Sequence, residues 1–265
     1  MKSIEFYGQV GSGKSTVAQA ARQTLRDAGF DPIDMKTAIG RCLERSWLGR
    51  LTGRFLPAAP RHRLLWAIYR RGLHPVYSLR LALSNPGLFA AVIRAQLGNG
   101  LPWWHKRRIW RLVFNQANGL VFVSGRLADD EILLLEEGLL HRAVNLFSWQ
   151  MDGVRVDLVR KYLERLPILD LAVRVDAPME ICRERTLARG LPSRLRPKDE
   201  ETTAVFFENA DHVLALISAH VVGSGRPVIA VDNGGRRGQF EAALGAALNR
   251  ALSALDVTTS RPALA

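Results

Sequence analysis

The chain has 265 residues, of which 48% are apolar and 23% charged, and it carries a net charge of +12 with an isoelectric point near 10.6. These proportions are typical of a globular protein, and two cysteines exclude a disulfide framework. The sequence shows neither a secretory signal pattern nor an uncharged run long enough to span a bilayer, so we expect a cytoplasmic protein. The excess of positive charge predicts an anionic partner, such as a nucleotide, a nucleic acid, an acidic lipid or a phosphorylated substrate.

The first predicted elements are a strand, a glycine-rich loop and a helix. Residues 3–7 alternate apolar and polar side chains and end at Gly8, which indicates a strand. Residues 15–28 carry apolar side chains at helical spacing, and Gly29 follows as a stop signal. A short second strand is predicted over 30–35.

Residues 41–128 form an unusual segment that is predicted to be mostly helical. No acidic residue occurs between Glu44 and Asp129, and five of the six tryptophans of the chain lie there. Proline and glycine interrupt the segment at several points, which indicates several helices rather than one. We expect it to be a large basic insertion on the substrate side of the domain.

The second half of the chain alternates between strands and helices. Strands are predicted over 131–138, 169–175 and 227–232, and helices over 157–165, 178–189, 202–221 and 239–255. This alternation predicts a doubly wound α/β domain over 1–256, with a parallel sheet of about five strands, and a loose tail over 257–265. Because ligands bind at the carboxyl ends of such strands, the glycine loop, Glu136–Glu137 and Asp176 should meet at one edge.

The glycine loop has the complete pattern of a phosphate-binding P-loop, Gly8-x-x-x-x-Gly13-Lys14-Ser15. Its glycines let backbone N–H groups approach a phosphate chain, and the helix that follows presents its positive end. Lys14 supplies a cation for the outer phosphates, and Ser15 supplies a hydroxyl for Mg²⁺. We therefore expect ATP and Mg²⁺ as cofactors, bound through Gly8, Gln9, Val10, Gly11, Ser12, Gly13, Lys14, Ser15 and Thr16.

Two adjacent carboxylates, Glu136 and Glu137, stand at the end of the predicted strand over 131–138. Beside a P-loop, a carboxylate in this place orients Mg²⁺ directly or through water. One of the two would serve the metal and the other the hydroxyl of an acceptor. The alternative is a pair of solvated acids at the start of a helix, where negative charge is favourable.

A group of arginines follows the fourth predicted strand. Arg185 and Arg189 are four residues apart and therefore share a helical face, and Arg194 and Arg196 follow in a proline-flanked loop. Mobile arginines over a phosphoryl group can neutralise the charge that develops during transfer, which makes Arg185 and Arg189 catalytic candidates in a lid. The alternative is a solvated basic helix end.

The run GQVGSGKST resembles the P-loop of the nucleoside and thymidylate kinases. It is closer to the nucleoside kinases, because Val10 is apolar where thymidylate kinases usually carry an acid. The run LLLEEG over 133–138 stands where these families have a Glu-Arg-Ser run or an Asp-Arg pair. Residues 176–190 are similar to their strand-to-lid segment, and residues 228–234 are similar to their last strand.

This resemblance covers residues 1–40 and 130–255 and implies the fold of a P-loop small-molecule kinase that uses Mg²⁺ and ATP. It places Glu136 in the acidic position of the family, as a metal ligand with Ser15, and Glu137 where the family has arginine. No Glu-Pro pair follows the second strand, where nucleoside kinases keep their general base. Glu137 and Asp34 are both candidates for that role.

The leading hypothesis is a kinase that transfers the γ-phosphoryl group of ATP to a small hydroxyl-bearing or phosphorylated acceptor, such as a nucleoside, a nucleotide or a sugar. The net charge predicts that the acceptor is anionic. One alternative is a nucleotide-hydrolysing ATPase that acts with a partner, and another is a kinase for a lipid-linked or surface-glycan precursor. The sequence shows no nucleic-acid-binding module, and a homodimer is a further hypothesis.

The run LPWWHKRRIWRLVF, residues 101–114, suggests a contact with a membrane surface. Read as a helix, Trp103, Ile109–Trp110 and Val113–Phe114 fall on one side, and basic residues cover the rest. Such an amphipathic pattern suits a membrane interface. The alternatives are a helix with one face in the core and a helix that lines a pocket for a phosphorylated acceptor.

Overall fold

A computed structural model describes residues 2–97, 101–167, 169–190, 200–235 and 239–259. In these ranges five strands form one sheet: β1 (Lys2–Gly8), β2 (Asp31–Ile33), β3 (Glu131–Leu135), β4 (Leu171–Asp176) and β5 (Val228–Asp232). Their spatial order is β2-β3-β1-β4-β5, and every neighbouring pair is parallel. The predicted doubly wound sheet is confirmed. Because the strand order reverses at β1, a ligand crevice opens at the carboxyl end of that strand.

The helices surround this sheet and are numbered in chain order. They are α1 (Lys14–Asp27), α2 (Met35–Arg45), α3 (Trp47–Gly53), α4 (Ala58–Ile68), α5 (His74–Ser84), α6 (Pro86–Leu97), α7 (Trp103–Val123), α8 (Leu139–Phe147), α9 (Val156–Leu163), α10 (Met179–Ala188), α11 (Glu200–Gly223) and α12 (Gln239–Thr259). A π-helical turn over Tyr69–Leu73 joins α4 to α5.

The alternation of side chains along β1 divides the interior into two cores. Ile4 and Phe6 face α1 and α12, whereas Tyr7 faces the larger core that includes α7, α8 and α11. All five residues of β3 are buried, as expected for a strand that is covered on both faces. The sheet is therefore a rigid layer from which the loops at its carboxyl edge project.

Helices α2 to α7 form the predicted helical insertion between β2 and β3. The insertion begins earlier than residue 41, because Asp34 caps α2 and accepts a hydrogen bond from the backbone N–H of Thr37 at 2.7 Å. In α7, Ile109, Val113 and Phe114 are buried in the larger core. The expectation that these three face a membrane is therefore wrong, since their apolar face is needed to pack α7 on the domain.

Three further expectations are corrected by the structure. The strand predicted over 131–138 ends at Leu135, because the chain turns at the two glutamates. Helix α8 was not predicted; it is only nine residues long, begins directly after the turn that follows β3, and has eight buried residues. The tail predicted over 257–265 is helical as far as Thr259, where α12 ends, and its remaining residues lie outside the described ranges.

Helix α11 passes a test for membrane-spanning helices within the described ranges, on length and composition alone. Helices α4 to α6 pass it only when they are taken together across a bend of 95°. One face of α11, which carries Phe206, Ala210, Val213 and Ile217, is buried in the larger core. This packing is that of a core helix in a globular domain.

A buried carboxylate ties α2 to the start of β3. The side chain of Glu131 is 2% exposed and accepts hydrogen bonds from Arg45 at 2.6 and 2.7 Å, from Arg41 at 2.8 Å and from the backbone N–H of Ala128 at 2.8 Å. Burial alone would raise the pKa of Glu131, but the hydrogen bonds of the two arginines outweigh it and lower that pKa to about 2.

A second buried carboxylate has a raised pKa rather than a lowered one. Glu5 is fully buried in the middle of β1, below the first turn of α8. Its Oε1 atom accepts a hydrogen bond from the backbone N–H of His141 at 3.1 Å, and its Oε2 atom has no partner in the described part of the chain. Burial outweighs the backbone hydrogen bonds and raises the pKa of Glu5 to about 8.

We expect Glu131→Gln to lower the free energy of unfolding at pH 7 by about 3 kcal/mol, since one partner of a buried ion pair is lost. The ionised Glu131 stabilises the wild-type protein fully above pH 4.5, and this contribution disappears as the pH falls towards 2. Urea unfolding at several pH values measures both effects. Glu44→Gln, which changes an exposed acid on α2, is the control. If Glu131→Gln lost stability below pH 4.5 in the same way as the wild type, the assignment would be contradicted.

Glu5→Gln should change stability at high pH instead. The protonated Glu5 stabilises the fold below pH 4.5, and this contribution is lost as the pH rises through about 8. Glutamine cannot ionise, so we expect the variant to gain on the order of 4 kcal/mol relative to wild type between pH 5 and pH 9. If the free energies of unfolding of the two proteins depended on pH in the same way over this range, Glu5 would not titrate there. The exposed Glu241→Gln is the control.

Candidate active site

The P-loop connects β1 to α1 at the carboxyl edge of the sheet, and two of its glycines are required by geometry. Gly11 and Gly13 both have φ of 87°, a left-handed conformation that side chains disfavour. A Cβ atom on Gly11 would lie 2.2 Å from the carbonyl oxygen of Cys182, and one on Gly13 would lie 2.1 Å from Nδ2 of Asn233. The loop can therefore close only with glycine at both positions, as the motif predicts.

Lys14 is buried with its charge inside the curve of the loop. Its Nζ atom donates hydrogen bonds to the carbonyl oxygens of Gly8 at 3.1 Å and of Gln9 at 2.9 Å. The next side chain, Ser15, is exposed at the first turn of α1. The loop thus combines a fixed cation, a helix N-terminus and a free hydroxyl, which together suit a polyphosphate.

Side chains from distant elements hold the P-loop in place. Asn233, after β5, donates to the carbonyl oxygen of Ser12 at 2.7 Å, and its own carbonyl oxygen accepts from Arg185 at 3.0 Å. Gln9 donates to the carbonyl oxygen of Phe207 in α11 at 3.0 Å. Gln9 and Arg185 are therefore placed to support the loop rather than to line the cavity in front of it.

A first cavity of about 430 Å³ lies in front of the loop. From the loop and the start of α1 it is lined by Val10, Gly11, Gly13, Lys14, Ser15 and Thr16. Its other walls come from α7, α8, the turn after β3 and the end of α10, through Leu101, His105, Arg108, Ile109, Leu112, Glu137, His141, Arg142, Trp149 and Arg189. The size is that of a small-molecule site.

A second cavity of about 960 Å³ adjoins the first and lies between the sheet edge and the insertion. The two cavities share Leu112, Glu137 and Arg142. The basic residues in the wall of the second cavity are Arg22, Lys36, Arg70, Arg111 and Arg142, its acids are Asp34, Glu136 and Glu137, and its aromatic residues include Trp66, Tyr69 and His74. Burial raises the pKa of Tyr69 to about 12, so this phenol stays neutral.

The two glutamates after β3 occupy different positions. Glu137 lines both cavities, and its Oε2 atom accepts a hydrogen bond from Arg142 at 2.9 Å. Glu136 lines only the second cavity, and no hydrogen bond to its carboxylate occurs within the described ranges. Asp34 also lines the second cavity, where it caps α2.

The turn that carries these glutamates is shaped by the buried Glu5. A Cβ atom on Gly138 would lie 2.1 to 2.4 Å from the carboxyl group of Glu5, so only glycine fits there. The close approach lets α8 begin directly at Leu139. As a result, Arg142, one turn into α8, reaches back to Glu137.

The structure brings together most of the predicted site residues but divides the predicted arginine pair. Arg189 lines the first cavity, whereas Arg185 points to Asn233, and Arg194 and Arg196 lie outside the described ranges. Sequence reasoning missed Arg142, although it follows Glu137 by five residues in the same run. Residues 41–128 were expected on the substrate side, but the sequence did not identify which side chains of α2, α4 and α7 line the second cavity, since those helices match no motif.

Oxygen donors suited to Mg²⁺ are present at the first cavity. The hydroxyl of Ser15 and the carboxylate of Glu137 both line it, and Mg²⁺ prefers such ligands together with phosphate oxygens. No cluster of three or more metal-binding side chains occurs within the described ranges. The oxygens of Ser15 and Glu137 fit an Mg²⁺ ion that is also coordinated by phosphate oxygens.

No family model matches the chain, and no curated protein is similar to it. Solved structures of deoxyadenosine kinase from M. mycoides are similar in fold. With bound dATP the identity is 12% and the TM-score 0.44, over 96% of this chain and 99% of that one. For the structure with bound dCTP, the identity is 11% and the TM-score 0.43, over 94% of this chain and 99% of that chain. For the structure with the products dCMP and a flexible dCDP, the identity is 14% and the TM-score 0.39, over 95% of this chain and 99% of that chain.

Values this low leave the activity of the chain to be argued from its own site. The fold itself is established by the topology, with a P-loop at the end of the central strand of a β2-β3-β1-β4-β5 parallel sheet. The chain has a doubly wound α/β fold with a P-loop after its central strand.

Proposed function

We propose that this protein is a kinase that transfers the γ-phosphoryl group of ATP to a hydroxyl group of a small, negatively charged acceptor. The observation that carries the proposal is the junction of the two cavities at Leu112, Glu137 and Arg142. Donor phosphates in the P-loop cavity and an acceptor in the second cavity would meet there. Phosphoryl transfer needs such positioning more than it needs covalent chemistry from the protein.

The P-loop side would hold the donor. The backbone N–H groups around Gly11 and Gly13 and the ammonium group of Lys14 would bind the phosphates. Ser15 and Glu137 would hold Mg²⁺, which neutralises phosphate charge when it is bound. Arg142 and Arg189 also line this cavity, and they would neutralise charge that develops on the transferred group.

The positions of the two glutamates favour roles opposite to those expected from the family resemblance. Glu137 shares the first cavity with Ser15, which suits a metal ligand. Glu136 faces the second cavity without a hydrogen-bond partner in the described ranges, which suits a group that orients the acceptor hydroxyl and accepts its proton. Asp34 suits that role less well, because its carboxylate already caps α2.

The second cavity favours an acceptor with both a ring and a negative charge. Its basic side chains outnumber its acids, and a further basic surface with Lys36, His62, Arg63, Arg70 and Arg71 continues from it. Trp66 and Tyr69 supply flat apolar walls. A phosphorylated nucleoside or sugar fits this combination better than a neutral one. We propose that residues 1–256 form a single kinase domain and that the insertion serves as its acceptor side.

Incubation of the purified protein with ATP, Mg²⁺ and a panel of neutral and phosphorylated nucleosides and sugars, read by mass spectrometry, tests this function. We expect a product heavier by one phosphoryl group with phosphorylated acceptors. Lys14→Ala should remove nearly all transfer, since the loss of one electrostatic contact of this kind costs about 3 kcal/mol or more. Lys161→Ala, which changes an exposed lysine on α9, is the control. Release of free phosphate without any acceptor product would indicate an ATPase instead.

Glu136→Gln and Glu137→Gln should differ in kind. We expect Glu137→Gln to raise the Mg²⁺ concentration needed for half-maximal rate, because a metal ligand is weakened. Glu136→Gln should lower the turnover about 100-fold at saturating Mg²⁺, the usual size of a general-base contribution. Steady-state kinetics against Mg²⁺ and acceptor separate the two effects. Equal and small changes in both variants would contradict these roles.

A further inference from the structure

Exposed apolar side chains are concentrated in the segment that lacks acids. Among the described residues, 14 large hydrophobic side chains are exposed, and 11 of them lie between Trp47 and Trp104. The same stretch carries arginine and lysine but no aspartate or glutamate from residue 45 to residue 128. The two cavities do not explain the exposed apolar side chains, since none of these 11 lines either cavity.

One group of these side chains lies where α6 meets α7. The side chain of Gln96 donates to the carbonyl oxygen of Lys106 at 3.0 Å, which fixes the end of α6 against the first turns of α7. Further along, the ring of Phe89 packs on those of Trp110 and Phe114, with centroids 5.8 and 4.1 Å apart. The two helices therefore hold their exposed side chains in a fixed arrangement.

The exposed side chains of this group are apolar and basic only. We call Ile93, Leu97, Trp103 and Trp104, with Arg94 and Arg107, the α6–α7 corner. The apolar members are 42%, 77%, 64% and 59% exposed, and both arginines are exposed. On α7, Trp103, Trp104 and Arg107 share one face, opposite the buried Ile109 and Val113.

We propose that the α6–α7 corner docks the protein on an anionic lipid bilayer. Tryptophan is favoured at the headgroup level of a membrane, and aliphatic side chains such as those of Leu97 and Ile93 gain from insertion just below it. The arginines are placed to contact anionic headgroups, and no carboxylate of residues 45–128 opposes them.

A bilayer explains the corner better than a nucleic acid does. A nucleic acid would use the arginines, but it would leave the exposed aliphatic side chains of Leu97 and Ile93 without a contact that favours burial. The surface is the exposed side of a helical corner that combines both kinds of side chain, as interfacial helices do. The proposal does not depend on kinase activity.

Docking would also bring the cavities close to the membrane. Helix α7 carries Trp104 at the corner and lines the first cavity through Arg108, four residues later. This spacing is about 6 Å along a helix axis. If the proposed kinase function holds, an acceptor whose anionic head group lies at the membrane surface would be within reach.

Sedimentation of the full chain with vesicles tests the docking directly. Vesicles of phosphatidylcholine alone and of phosphatidylcholine with phosphatidylglycerol are the probes. We expect binding to the anionic vesicles only, and weaker binding as salt is added. Trp103→Ala with Trp104→Ala should lower the partition about tenfold or more, and Arg94→Gln with Arg107→Gln should lower it about fivefold per charge.

Trp47→Ala is the matched control, because Trp47 is 66% exposed and lies on α3 in the same acid-free segment. It should bind anionic vesicles as the wild type does. Unchanged thermal unfolding of all variants shows that they are folded. The proposal is overturned by equal binding to both kinds of vesicle, by no binding at low salt, or by a loss in Trp47→Ala as large as that in the corner variants. It is also overturned if the corner variants lose binding to a homopolymeric RNA but keep their binding to vesicles.

Discussion

The close approach of other parts of the chain to two glycines of the P-loop is the constraint on which the rest of the site depends. Gly11 packs against a carbonyl of α10, and Gly13 packs against the amide side chain of Asn233. The loop is therefore positioned by elements that follow it by more than 160 residues in the chain. A phosphate site of this kind needs the completed sheet, because β1, β4 and β5 must be in register before these contacts form.

Two buried carboxylates of the sheet are used in opposite ways. Glu131 is paired with two arginines and stays ionised, so it binds the first helix of the insertion to the sheet. Among the described residues no cation lies at hydrogen-bond distance from Glu5, and burial raises its pKa, so the protonated side chain packs beneath Gly138. The first arrangement supports one wall of the second cavity, and the second sets the turn that presents Glu136 and Glu137.

The insertion has a buried face that helps to form the cavities and an exposed face that contacts solvent. Its buried face, which includes Val113 and Phe114, packs on the domain and places Arg111 and Leu112 at the cavities. From residue 45 onward its exposed face carries tryptophan and arginine without any acid. The basic residues of the insertion thus support two proposals: an anionic acceptor in the second cavity and an anionic bilayer at the exposed surface. The distinction between them depends on which way each side chain of α7 points.

The five strands, the P-loop and the two glutamates could be predicted from the sequence, because these follow from local patterns of glycine, apolar residues and charge. It did not reveal α8, a helix of only nine residues of which eight are buried. Only the tertiary structure decided that Arg185 supports the loop while Arg189 lines the cavity, and that Glu137 rather than Glu136 lies with Ser15. Neighbouring residues differ in this way because a turn directs their side chains to different spaces, and that direction is set by packing against distant parts of the chain.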